Sequence, residues 1–428
     1  SKEISFKKLH RYSPKQIIKL NHSGMPYGER ECSVCHRHNY LKDGETECEI
    51  CWALKQMSGN ILKGDFFTVT SKKEKTCLPL SGNCYLVTDT ESTLRKRMKE
   101  DKYYIRSYSK NKPYSGYYVS TKLWVGDYVN GETFEELGQR ATGIERIAVM
   151  RADVDNLGQA FVRGFENEKN GSKYVTLSRT ATFSRKLSMF FKYHINSILK
   201  EGGYSILEEE SQMEKEDDKR NALIVYSGGD DIFIVGAWDD IIGFAVDLHD
   251  NLMEYSQDTL KISAGIGIYP SKYPISIMAR ETGRLEEAAK SVEGKNAVAL
   301  FDEKYTFPWE EFIENVVEEK LYFIQKYFKV VDEKGKNFLY NLLELVRKRK
   351  EDKINIARFA YLLGRMEPKV QRGEKKEEIE EKRDLHREFS RKMYEWIRVE
   401  KDAKELEMAI YLYVYTKREK EEHDGVNE

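Results

Sequence analysis

No stretch of this 428-residue sequence approaches the roughly 18 consecutive apolar residues that a bilayer-spanning helix requires. The amino terminus, SKEISFKKLH, lacks the apolar core of a signal peptide, so the chain reads as soluble and cytoplasmic, with no membrane partner. An excess of one charge is also missing. Lys plus Arg (71) balances Asp plus Glu (72), which excludes a surface that attracts polyanions everywhere, so any nucleic acid must meet a local patch. No basic stripe with interleaved aromatics marks such a patch. Proline is scarce, at 8 residues, against a charged fraction of 33%, a composition that fits either a thermophile's Lys/Glu usage or long solvated helices. Cysteine is sparse too, but four of the six fall within twenty residues of one another. The length exceeds what one core organises, so several domains are expected. Because the chain opens on Ser1 and a polar segment without a fold signal, it reads as a fragment.

The pattern along the chain suggests an α+β protein in four parts: a lead-in with a cysteine knuckle (1–57), a β-rich linker region (58–140), an α/β domain (141–305) and a helical carboxyl-terminal domain (306–428). In the second part FFTVT, CYLVT, KYYIRSY and GYYVSTKLWVG read as strands. In the third, RIAVMRAD reads as a buried strand. Phe183, Leu187, Phe190, Phe191, His194, Ile195 and Ile198 then recur at helical spacing. NALIVY and DIFIVG flank the turn SGGD, a hairpin signal. A helix over about 239–256 follows, carrying Ile242, Ala245, Leu248 and Leu252, and alternation returns in LKISAGIGI. Another helix reaches Gly294, and NAVALFD closes with a strand. The order strand, helix, hairpin, helix, strand, helix, strand is a ferredoxin-like core with one added helix and strand, the plan of polymerase palms and nucleotidyl cyclases.

Three motifs carry chemistry. Cys32-x-x-Cys35 and Cys48-x-x-Cys51, separated by twelve residues, offer two thiolate pairs on tight knuckles, the donor set of a closed, structural tetrahedral Zn²⁺. Cys77 and Cys84 remain over, as free core thiols or as a disulfide across a loop. In Tyr226-Ser-Gly-Gly-Asp-Asp231, Gly228 and Gly229 let the backbone approach a triphosphate, while Asp230 and Asp231 set two carboxylates just outside the sheet. Asp153, at the end of the neighbouring strand, would face Asp230, giving a carboxylate pair for Mg²⁺ or another divalent metal. Asp155 would share that face if the strand continues, or caps a helix beginning at Asn156 or Leu157. Lys295, in GKN after a helix that stops at Gly294, is a candidate for the β- or γ-phosphate, or a plain surface lysine after a helix cap.

Together the cysteine knuckle, GIERIAVMRADVDNLGQAF, YSGGDDIFIVG, the GKN and NIARFAYLLGRMEP resemble the large signature subunit of type III CRISPR interference complexes, of the Csm rather than the Cmr subtype, from about Glu31 to about Tyr415. That resemblance implies synthesis of cyclic oligoadenylates from ATP when target RNA is bound. It would make Asp230 and Asp231 the acidic pair of the GGDD motif, Asp153 the metal-binding acid of the first palm strand, and Ser227, Gly228 and Gly229 the nucleotide-contacting turn. Lys295 would match the phosphate-side lysine. It further implies a guide-RNA-capping partner subunit, small helical subunits along the tail, and contact with crRNA and target RNA through the complex. Such subunits carry an HD-type nuclease and a first palm upstream, and no segment here matches either. His249-Asp250 and His423-Asp424 read as incidental HD pairs, so DNA cleavage is not expected. Two rivals stand beside this reading: a diguanylate-cyclase-type enzyme, although Ile232 follows where that family continues with Glu-Phe, and a non-catalytic scaffold that binds ATP.

Overall fold

The chain divides between Trp124 and Val125 into two units, and the computed structural model describes residues 31–37, 41, 44–100, 102–111, 121–131, 133–166, 171–207, 219–331, 337–350, 352–368 and 376–418. In the first unit the cysteine segment runs into helix α1 (Glu49–Lys63). Strands β1 (Phe66–Thr70), β2 (Leu78–Leu80) and β3 (Cys84–Asp89), helix α2 (Glu91–Glu100), and strands β4 (Tyr104–Lys110) and β5 (Thr121–Leu123) follow. The sheet order is β2-β3-β1-β4-β5. Central β1 is buried at every position. The Lys110 ammonium donates to the Ile61 and Leu62 carbonyls at 3.0 and 2.8 Å, placing a buried cation on the negative end of α1.

FFTVT, CYLVT and KYYIRSY became β1, β3 and β4, each a run of β-branched and aromatic residues suited to a pleated surface. Residues 116–120 of GYYVSTKLWVG lie outside the described residues, and β5 holds only TKL of that run. Helix α2 gave no apolar stripe to read, since Leu94 is its one buried residue. Cys77 and Cys84 are both free thiols, bonded to the carbonyls of Glu74 and Gly82.

The second unit begins with helix α3 (Phe134–Gln139). Then come β6 (Ile147–Val154), α4 (Leu157–Arg163), and α5 (Leu177–Met189), which passes through a π-helical turn, Phe190–His194, into α6 (Ile195–Glu201). The hairpin β7 (Ala222–Gly228) and β8 (Asp231–Ala237), helix α7 (Trp238–Ser256), β9 (Ile262–Tyr269), α8 (Ile275–Lys290), β10 (Ala297–Leu300) and β11 (Thr306–Pro308) complete the sheet. Its order is β11-β10-β9-β6-β8-β7. The four consecutive strands β9-β6-β8-β7 pair antiparallel, as a ferredoxin-like fold requires, and β10 adds on parallel to β9. Edge strand β11 was not foreseen, being three residues long and carrying a proline.

The π turn explains why adjacent Phe190 and Phe191 are both buried: the extra residue per turn shifts the phase of the apolar stripe. The sheet's two faces are unlike. Ala148, Met150, Ala152 and Val154 of β6 enter the large core beneath α7, whereas Val149, Arg151 and Asp153 turn to the face that α8 covers. On that second face α8 lies so close that a Cβ at Gly265 would sit 2.3 Å from the Glu286 nitrogen, so only glycine fits there.

A helical domain follows: a π-helical segment Glu311–Leu321, then α9 (Tyr322–Val330), α10 (Asn337–Lys348), α11 (Ile354–Gly364), α12 (Lys376–Arg398) and α13 (Glu400–Lys417). Helix α13 returns to the palm-like sheet, where Ile144 N–H donates to the Tyr415 carbonyl at 3.0 Å and the Trp238 and Tyr415 rings meet edge-on at 5.7 Å. One hydrophobic core therefore runs through both layers. A deeply buried ion pair, Lys320 with Glu405 at 2.6 Å, ties the π-helical segment to α13.

Asn196, on α6, fixes the strand that enters this unit. Its Oδ1 accepts from the Asp127 and Tyr128 N–H groups at 2.9 and 3.0 Å, and its Nδ2 donates to the Val125 carbonyl at 3.0 Å. Asn196→Ala removes the acceptor of two main-chain donors and should cost about 2–4 kcal/mol in denaturant unfolding. A loss below about 0.5 kcal/mol would show that water replaces the amide.

Candidate functional site

The hairpin between β7 and β8 closes with a two-residue loop, Gly229-Asp230, between the paired residues Gly228 and Asp231. Gly229 has φ +66° and Asp230 does not share it, the pattern of a type II′ turn, which demands glycine at its first central position. That turn lifts Asp230 to the tip and leaves Asp231 at the start of β8, directly opposite Asp153 of β6. Paired residues of an antiparallel ladder share a face, so Asp153 and Asp231 point the same way. The Val154 N–H donates to the Asp230 carbonyl at 3.2 Å, holding the tip against the β6 end.

Electrostatics confirms the crowding. The Asp230 carboxyl is pushed above its ordinary pKa, first by burial and then by the negative charges of Asp153 and Asp231. Tyr226, hydrogen-bonded to Asp231, is raised chiefly by that carboxylate. Against these acids stands one ammonium: Lys290, at the end of α8, donates to Asp153 Oδ2 at 2.5 Å and to Glu286 Oε1 at 2.6 Å. Burial pulls its pKa down, and the two carboxylates more than reverse this. An oxygen-only donor set of like charges, already attracting a cation, fits a hard divalent ion. The acids do not close up around empty space as the thiols do. Among the described residues, only the four cysteines bring three or more ligand atoms all within 4.8 Å of one another.

The other residues singled out from sequence divide. Ser227 donates its hydroxyl to the Phe191 carbonyl, an acceptor on the π turn. A methyl at Gly228 would meet Tyr226 Oη at 3.3 Å and the Lys192 stem at 3.7 Å, so that position is enclosed, whereas a methyl at Gly229 would meet nothing within 4 Å. Asp155 joins neither the acids nor a helix cap. Strand β6 ends at Val154, Asn156 (φ +54°) is the α4 N-cap, and buried Asp155 accepts through Oδ2 from Ser263 Oγ at 2.8 Å and the Asn296 N–H at 3.0 Å. Lys295 and Asn296 both sit at positive φ, and Lys295 donates to Asn156 Oδ1 at 2.9 Å, three residues along from Asp153. Sequence reasoning missed Lys290. Its sequence context, the i,i+4 pair Glu286-x-x-x-Lys290, is one that ordinarily marks a solvated helix face.

In the knuckle, Cys32 and Cys48 accept main-chain N–H groups from Cys48 and Cys51, and Cys35 Sγ lies 3.7 Å from Cys48 Sγ. The N–H groups of Cys35 and Cys48 lower the Cys32 thiol to about 6, while burial, with neighbouring sulfurs adding, pushes Cys51 up to about 12. Four thiols this close cannot all ionise unaided, so the set fits a tetrahedral Zn²⁺.

With this geometry in view, comparison with known proteins is specific. Residues 146–299 match the family model of the Cas10/Cmr2 second palm domain, and residues 325–419 that of the second helical domain of the CRISPR RNA silencing complex Cmr2 subunit. The Cas10/Csm1 (subtype III-A) protein of Mycobacterium tuberculosis is 43% identical over 98% of this chain. The chain belongs to the Cas10/Csm1 family. A Cas10/Csm1 protein of Streptococcus thermophilus is 39% identical over 97% of the chain. A crystal structure of a Csm1–Csm4 cassette in complex with one ATP superposes with a TM-score of 0.56 at 25% identity, over 86% of this chain and 50% of that one. The chain spans about half the length of these Cas10/Csm1 relatives, 51% in both curated cases.

Both relatives are named single-strand-specific deoxyribonucleases. In this Cas10/Csm1 chain His249, on α7, bonds Asp250 at 2.8 Å and stacks at 5.0 Å on Trp309, just after β11, a packing arrangement, and His423-Asp424 lies outside the described residues. No helix of the described residues is long and apolar enough to cross a membrane.

Because the Asp230 pKa is raised, its ionisation opposes folding. That penalty is absent below the ordinary value of 3.8 and complete above the raised one. Asp230→Asn should therefore raise the melting temperature at neutral pH without divalent cations, by a margin that shrinks as pH falls toward 3.8. Melting curves across pH check this, and a loss of stability at neutral pH would contradict it.

Proposed function

We propose that this chain is the catalytic palm of an RNA-guided type III-A effector subunit that makes cyclic oligoadenylates from ATP, by metal-dependent 3'–5' nucleotidyl transfer, when target RNA is bound. The observation that carries this reading is the pairing of Asp153 with Asp231 across β6 and β8, with Asp230 raised in pKa beside them. Asp153, Asp230 and Asp231 would hold Mg²⁺ or a related divalent ion. When bound, such an ion neutralises charge on the α-phosphate and makes a ribose hydroxyl easier to deprotonate.

The chain's own residues account for the rest. The open backbone at Gly229 gives a triphosphate room beside the β7–β8 turn, and Ser227 fixes that turn through Phe191. Lys290 and Lys295 stand on the α8 side of the acids and would offset charge on the β- and γ-phosphates as the 3'-oxygen attacks the α-phosphorus and pyrophosphate leaves. The four-cysteine knuckle would hold a structural Zn²⁺, with no open coordination position. The ATP-bound Csm1–Csm4 cassette supports adenine nucleotide as substrate and a Csm4-type guide-RNA-capping subunit as partner. Membership of the family supports small helical subunits along the tail, crRNA and target RNA as further partners, and a cytoplasmic setting.

The test is ATP turnover by the subunit assembled with its partner subunits, crRNA and target RNA. Asp231→Asn should reduce product formation at least about a hundredfold, because several kcal/mol of charge stabilisation go with the carboxylate. Full activity in Asp230→Ala and Asp231→Ala would leave only a scaffold, and turnover of GTP alone would favour the diguanylate-cyclase reading. For the knuckle, one Zn²⁺ per chain is expected by metal analysis. Cys48→Ser should lose it together with protection of α1 from proteolysis, whereas a stable metal-free segment would refute the zinc site.

A further inference from the structure

The Lys290 ammonium is one link of a longer chain of charges. Arg151 Nε forms an ion pair with Glu286 Oε2 at 3.2 Å, Glu286 Oε1 accepts from Lys290 Nζ at 2.6 Å, and Lys290 Nζ reaches Asp153 Oδ2 at 2.5 Å. Glu286 is only 8% exposed, whereas the Lys290 and Asp153 side chains keep 27% and 26%. Its burial follows from the sheet: Gly265 pairs with Arg151 on β6 and β9, and the missing Cβ lets α8 settle with the Glu286 backbone against the strand. The two Glu286 carboxylate oxygens face a guanidinium and an ammonium, one on each side. Nothing in the acid cluster itself needs this residue, since the turn and the β6–β8 register already bring Asp153, Asp230 and Asp231 together.

We propose that Glu286 is a positioning residue for nucleotidyl transfer, holding the Lys290 ammonium beside Asp153 so that a divalent cation and this lysine occupy the site together instead of in alternation. The inference rests on the functional reading given above. Without a metal, Lys290 is the cation on Asp153. A dication arriving at Asp153 repels an ammonium in contact with the same carboxylate, and an unanchored lysine would swing into solvent. Glu286, one helical turn back and already within hydrogen-bond distance, retains it. Its negative charge also offsets part of the repulsion felt by the incoming dication. A merely structural Glu286, tying α8 to β6 through Arg151, would change stability but neither cation affinity nor the Michaelis constant.

The experiment is Mn²⁺ titration of the full chain, read as loss of the free-ion electron paramagnetic resonance signal, with KM and kcat for ATP measured on the assembled complex. Lys290→Met removes the competing cation and should tighten Mn²⁺ binding several-fold, while Glu286→Gln should weaken it roughly tenfold, the size of one charge-assisted hydrogen bond. Glu286→Gln should also raise KM for ATP more than it lowers kcat, with partial recovery in Glu286→Asp. Mn²⁺ affinity in Glu286→Gln within about twofold of the parent overturns the proposal, as do shifts of the same sign in the two variants. If Glu286→Gln does not fold, Glu286→Asp serves. Its carboxylate is withdrawn by one methylene, so Mn²⁺ affinity should fall by about threefold, and an unchanged affinity overturns the proposal equally. Asp153→Asn separates the two levels. Loss of Mn²⁺ binding and turnover there, with a parent-like Glu286→Gln, sinks only this inference, whereas an Asp153→Asn chain that keeps both sinks the functional reading itself.

Discussion

Three carboxylates are forced together at one end of a sheet, and one ammonium offsets them. The antiparallel register sets Asp153 against Asp231, the type II′ turn brings Asp230 alongside, and both constraints are made by backbone geometry that the side chains cannot relax. Burial first, and then the charges of Asp153 and Asp231, accordingly raise the Asp230 pKa. Under the proposed function, a cation held by these acids would offset that repulsion.

The surrounding architecture reads as support for that arrangement. The large core beneath α7 and the helical tail keeps β6 and β8 in register, while the glycine-bearing face of β9 lets α8 approach and deliver Glu286 and Lys290 to the acids. Segment Asp153-Val-Asp155-Asn156 is gripped at each polar position by the end of α8 or the residues after it: Asp153 by Lys290, Asp155 by the Asn296 N–H, Asn156 by Lys295. The left-handed backbone at Lys295 and Asn296, costly for residues with a Cβ, is maintained by these contacts.

Much of the fold was legible because its signals are local. A buried apolar run marked β6, alternation marked β9, the glycine pair marked the hairpin, and apolar spacing marked α7, where Ile242, Ala245, Leu248 and Leu252 are all buried. What escaped was what depends on tertiary context. Helix α2 buries one side chain, β11 exists only because β10 offers it an edge, and the π turn at Phe190–His194 has no periodic signature of its own. In the candidate site, Asp153, Asp230 and Asp231 could be grouped from sequence because each lies at a strand end. Lys290 could not, since a Glu-x-x-x-Lys pair usually marks a solvated helix face, and only the missing Cβ of Gly265 turns this one inward. Asp155 hung on a single residue: had β6 run one position further it would have faced the acids, but the left-handed Asn156 ends the strand and sends its carboxylate to Ser263 and Asn296.

The most direct measurement is anomalous X-ray scattering from crystals soaked with Mn²⁺ and a non-hydrolysable ATP analogue. The account requires a metal peak bridged by oxygens of Asp153 and the Asp230-Asp231 pair, with the triphosphate lying along the Gly228-Gly229 backbone. Metal density elsewhere on the chain, or a nucleotide seated away from that turn while Lys290 still holds Asp153, would contradict it.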